Sequence, residues 1–267
     1  MIREPVVAGQ FYSRNPQTLR RTIESFFSAP DALLEAKAVV SPHAGYVYSG
    51  AVAGAVFSSV HLPGFFVILG PNHTGRGAPL ALAPAGEWRT PLGAVSISDE
   101  LNRSLLAECP LLREDSVAHA REHSLEVQLP FLQILSPGFR FAAVCVGTGA
   151  YGDLVSLGRA LARVIRSAPG PVLVVSSSDM THYEPADTAS RKDNLAIGRI
   201  LDLDPEGLYN VVRKEGVTMC GFAPTVAALE ACLHLGAKAG KLIRYANSGD
   251  ASGDYASVVG YAGLAVS

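Results

Sequence analysis

Phe65-Phe66-Val67-Ile68-Leu69-Gly70-Pro71-Asn72-His73-Thr74-Gly75 runs from an unbroken apolar stretch into a turn shaped by glycine and proline. Continuous apolar character, rather than strict alternation, predicts a strand covered on both faces. Similar runs occur at Ala38-Val39-Val40, at Phe141 to Val146 and at Val172-Leu173-Val174-Val175. Helical spacing lies between them: Pro16 to Phe27, Asp99 to Glu108 behind the N-cap candidate Ser98, Leu154 to Ser167, and Pro224 to Leu235. Strands alternating with helices predict helices layered on a central sheet. Trp88 to Ile97 suggests a hairpin and Val258 to Val266 a last strand, so a mixed sheet in an α/β, three-layer single domain spanning residues 1–267 is expected.

Composition agrees with a packed domain. Of 267 residues, 48% are hydrophobic and 17% charged, enough apolar matter for a core and too little net charge for disorder. The 22 basic and 24 acidic residues give a formal charge of -2 and are well mixed, which argues against nucleic acid as a partner. No apolar run is long enough to span a bilayer, so no membrane partner is expected. The start Met1-Ile2-Arg3-Glu4-Pro5 has no signal core, and the four cysteines show no disulfide spacing. Both point to the cytoplasm.

Polar motifs follow three of the predicted strands: Ser41-Pro42-His43-Ala44-Gly45-Tyr46, then Gly70 to Gly75 around His73, then Ser176 to Tyr183 with Asp179 and His182. In open α/β sheets ligands bind beyond the carboxyl ends of strands, so these three histidines are candidates to converge. His61 and His234 lie outside any such motif and read as surface or helix-end residues. His119 and His123, four apart, would share one face of a helix, with His119 exposed and His123 facing substrate or packing structurally. Cys109, Cys145 and Cys232 read as buried thiols. Cys220, in Thr218-Met219-Cys220-Gly221-Phe222, precedes a helix whose N-terminus would favour a thiolate, the form that ligates metals. Strand-end histidines and this cysteine together suggest a metal site, without saying which of them are ligands.

Five motifs, Ser41 to Gly50, Ile68 to His73, Glu122 to Pro130, Ser177 to His182 and Cys220-Gly221, together with Ala8-Gly9-Gln10-Phe11-Tyr12, resemble the Memo family, in order and over nearly the whole chain. That family resembles the class III extradiol dioxygenases, whose three-layer fold is therefore implied. The resemblance implies a mononuclear site with His43, His73 and Cys220 as metal ligands, the cysteine replacing a carboxylate. It implies Asp179 and His182 as catalytic groups, and Phe11, Tyr48 and His123 as substrate-binding residues. Fe(II) is the implied cofactor, with copper or zinc as alternatives. The implied activity is a non-haem iron oxidoreductase acting on a small molecule or peptide. Metal-assisted hydrolysis or lyase chemistry, or a metal- or partner-binding module without turnover, are the other expectations. Prokaryotic members accompany a radical-SAM protein, which makes such a protein the expected pathway partner.

Overall fold

The computed structural model describes all 267 residues. Twelve strands form one sheet: β1 (Ile2–Arg3), β2 (Ala38–Ser41), β3 (Phe65–Pro71), β4 (Leu80–Leu82), β5 (Glu87–Thr90), β6 (Gly93–Ile97), β7 (Arg113–Glu114), β8 (Arg140–Val146), β9 (Val172–Ser177), β10 (His182–Glu184), β11 (Gly240–Asn247) and β12 (Val258–Val266). Its middle is β8-β3-β9-β2, all parallel. Beyond β2 the sheet turns antiparallel through β12, which also pairs with β10 and β11. Beyond β8 lies the hairpin of β5 and β6. The sheet is mixed, as expected from the hairpin and the final strand.

The central strands are apolar on both faces because both faces are covered. Along β3, Val67 and Leu69 join one buried cluster, and Phe66 and Ile68 the other. The first face packs against α3 (Asp99–Glu108), α5 (Tyr151–Ser167), α6 (Ala186–Leu201), α7 (Pro205–Lys214) and α8 (Phe222–His234). The second packs against α1 (Pro16–Glu24), α2 (Tyr46–Phe57) and α4 (Leu129–Leu135). Three layers result, the architecture that the resemblance implies. No helix is long and apolar enough to cross a membrane.

Two details of the chain differ from their sequence pattern. Helix α1 stops at Glu24, three residues short of Phe27, and Phe26 then packs against α2 over Gly50 and Gly54, where a Cβ would meet its ring or backbone. The segment from Ala118 to Ser124 is not helical at all. Arg3, arriving from the far end of the chain, donates Nε to His119 O (2.8 Å) and Nη2 to Glu122 O (2.6 Å), taking carbonyls that a helix would use. Its Nη1 bonds Glu126 at 2.7 Å, a buried ion pair that also receives Tyr12 Oη and the backbone N–H groups of Val6 and Val7. The two histidines therefore do not share a face. His119 is fully buried rather than exposed, edge-on to Trp88 with Nε2 3.1 Å from Ala81 O.

Candidate metal centre

Strands β3, β9 and β2 are neighbours whose carboxyl ends lie level: Leu69 pairs with Ser176, and Val40 and Ser41 pair with Ser176 and Ser177. The loops that follow must therefore leave the sheet side by side. They carry His43, His73 and Asp179 into one cleft of about 630 Å³. His182 joins from β10, Tyr261 from β12, and Phe11 from the N-terminal segment, whose carbonyl accepts a bond from Tyr46 N at 2.8 Å. Tyr48 and His123 also line the cleft, as do Ser248 and Ser252 at the two ends of the one-turn helix Gly249–Ser252. Cys220 stands behind His43, its Sγ 3.2 Å from His43 Nε2. Gly221 makes this approach possible, because a Cβ there would collide with Ser177 O and Ser178.

The hydrogen bonds fix how each ring faces. His43 is buried, and its Nδ1 lies 2.9 Å from Ser177 Oγ. That hydroxyl donates its one proton to Ser124 O (2.7 Å) and accepts from Gln128 Nε2 (2.8 Å). Gln128 is oriented in turn by Pro42 O, 3.0 Å from Nε2. Ser177 thus has only a lone pair to offer His43, so His43 carries its proton on Nδ1 and keeps a lone pair on Nε2. His73 Nδ1 faces Glu122 Oε1 at 2.9 Å, and its backbone N donates to Glu122 Oε2 at 2.7 Å. His182 donates its backbone N to Thr218 Oγ1 (2.7 Å) and Nδ1 to Thr218 O (3.0 Å). In all three residues Nδ1 is engaged by the protein, which turns Nε2 toward a ligand; that of His43 meets Cys220 Sγ at 3.2 Å.

Ring planes limit what the histidines can hold together. Donor atoms of His43, His73 and His123 lie within 4.8 Å of one another. His43 is edge-on to His73 (79°, centroids 5.2 Å) and to His123 (84°, 5.5 Å). His73 and His123 are stacked at 18° and 4.8 Å. An imidazole lone pair lies in the ring plane. Crossed planes aim their lone pairs at one ion squarely, and nearly parallel planes do so less squarely. His43 is crossed with both of the stacked rings, and all three are close enough to serve one ion. Glu122 hydrogen-bonds the His73 ring, while His123 Nδ1 stands 3.6 Å from that carboxylate. A carboxylate orienting a histidine in this way is the usual outer support of a metal ligand.

The electrostatics follow from burial and from this crowding. Burial holds the His43 pKa well below its usual value, helped by the neighbouring His123, His73 and His182. For His73 burial acts in the same direction, but the hydrogen bond and charge of Glu122, with Asp179, raise the pKa overall. Burial would raise Glu122, yet the hydrogen bond and charge of His73, the Ser124 N–H and His123 pull it down to about 2. Asp179 is pushed up to about 6 by burial, against the bond from His43 N (2.7 Å) and the nearby His182 and His73. Burial and the Asp179 carboxylate raise the Cys220 thiol, outweighing the Asp179 N–H that it accepts at 3.3 Å. The expected helix effect on this thiol is overruled: in the metal-free chain it is protonated. Cys109, Cys145 and Cys232 are buried, and His61 and His234 are half exposed, as their surroundings suggest.

Glu122, Ser177 and Gln128 orient the site without having been singled out in the sequence. Glu122 had one signal, its place directly before His123 in a motif. Gln128 and Ser177 also lie within motifs, but their roles depend on contacts between segments about fifty residues apart.

A family model described as Memo-like protein matches residues 3–265. A MEMO1 family protein of Methanopyrus kandleri is 44% identical, covering 99% of this chain and 98% of its own. One from Methanothermobacter thermautotrophicus is 41% identical, covering 99% and 100%. An uncharacterized protein from Escherichia coli K12 shares the fold with TM-score 0.53 at 12% identity, covering 85% of this chain and 98% of that one. The chain belongs to the Memo-like protein family.

Proposed function

We propose that this chain is a metal-dependent oxidoreductase whose ion is held by His43, His73 and Cys220, with Fe(II) as the metal. One observation carries the assignment: two histidines with crossed planes have Nδ1 engaged by the protein, and a cysteine Sγ lies 3.2 Å from Nε2 of one. Two imidazoles and a thiol suit iron, copper or zinc, and of these iron fits redox use with open positions. When bound, the ion supplies Lewis acidity and coordination positions for substrate. The Cys220 proton would leave on loading, since the thiolate is the ligating form.

The chain's own groups do the rest. His182 presents a lone pair on Nε2 to the cleft and can take a proton there. Asp179, pushed up to about 6, can exchange one near neutral pH while its Oδ1 holds the His43 backbone. Phe11, Tyr48 and His123 wall the cleft and position a small-molecule or peptide substrate. The test is turnover by protein purified anaerobically and loaded with Fe(II). Dioxygen should be consumed when a catechol or a tyrosine-containing peptide is supplied. Turnover without oxygen that tolerates zinc would instead mean a hydrolase or lyase. Stoichiometric metal without turnover would mean a binding module.

A further inference from the structure

Strand β10 contains an irregularity beside the cleft. His182 pairs with Val259 and Glu184 with Val258, so two steps along β10 answer one step along β12. The extra residue is Tyr183, a β-bulge with φ +61°. A bulky residue in the left-handed region is unfavourable, and glycine or asparagine would make the same turn with less strain. In a regular strand His182 and Tyr183 would point to opposite faces. Here both line the cleft. Re-aiming a side chain in this way is what bulges beside binding sites do.

The Tyr183 ring gains little from the fold in return. It is 78% exposed and leans edge-on against His182, with centroids 5.7 Å apart. A large aromatic held in a strained turn at a cleft mouth, and left uncovered, is poised for something that enters the cleft. The rest of the lining indicates what that is. Phe11, Tyr48 and Tyr261 provide further aromatic surface, Ser248 and Ser252 provide neutral hydroxyls, and no lysine or arginine is present.

We infer that Tyr183 is a specificity-determining residue of the cleft, stacking on a flat, uncharged ring of the ligand. This rests on the proposed use of the cleft as a substrate site, but not on the identity of the metal. Stacking requires planarity, so the probes are p-cresol and its puckered analogue 4-methylcyclohexanol, titrated by NMR. Wild type and Tyr183→Phe should bind p-cresol about two- to tenfold more tightly than the analogue. Tyr183→Asn should lose that preference while keeping or raising its melting temperature and keeping its metal content, since asparagine makes the turn with less strain. Retention of the preference in Tyr183→Asn would overturn the inference. So would a lowered melting temperature, which would mark the ring as structural. A wild type that shows the preference but retains no metal would defeat the metal assignment and leave this one standing; metal without the preference would do the reverse.

Discussion

His43 Nδ1 lies 2.9 Å from Ser177 Oγ, and the carbonyls of Ser124 and Pro42, acting on Ser177 and Gln128, decide which of the two is the donor. The imidazole must donate, so the tautomer that exposes Nε2 is built into the fold before any ligand arrives. Ser177→Ala should therefore weaken metal binding about 10- to 100-fold, the usual loss when an outer partner of a ligand is removed. Nitrogen-15 NMR of the metal-free wild type should show His43 protonated at Nδ1. A proton found on Nε2 instead, or an unchanged affinity in the variant, would refute this role.

Glu122 gives a second expectation, in stability. Its folded pKa of about 2 lies below the usual 4.5, so its ionised form stabilises the fold fully above pH 4.5. That contribution is lost as the pH falls through about 2, and amounts to about 3 kcal/mol for a shift of this size. In urea unfolding, wild type should exceed Glu122→Gln at pH 7, and the gap should close between pH 4.5 and 2. A gap independent of pH would show that His73 and Glu122 are not coupled.

His119 acts in a different window. Burial outweighs its bond to Ala81 O and lowers its pKa to about 4, from 6.5. The folded state prefers the neutral ring, so its contribution is complete above pH 6.5 and is lost as the pH falls through about 4. The loss is about 3 kcal/mol at most. Wild type should weaken relative to His119→Gln over that range. Parallel stability curves for the two proteins would contradict the buried placement.

The strands and the three strand-end motifs were legible because apolar runs and turn residues are local signals. Ser98 capping α3 was legible for the same reason. Helix α2 was not, because Tyr46 to Phe57 is buried around most of its circumference and has no amphipathic period to read. The helical spacing of His119 and His123 misleads because Arg3, more than a hundred residues away, takes the backbone carbonyls there. Cys220 could be picked out by its glycine turn. Its protonation could not, since that depends on burial beside Asp179. The stacking of His73 on His123 likewise has no trace in the spacing.

X-ray absorption spectroscopy of the zinc-substituted protein tests the ligand assignment most directly. His43, His73 and Cys220 on one ion predict a single sulfur at about 2.3 Å with nitrogens at about 2.0–2.1 Å. The sulfur shell should vanish in Cys220→Ser while the imidazole scattering persists. A shell of nitrogen and oxygen alone in the wild type would exclude Cys220 from the centre and contradict the assignment.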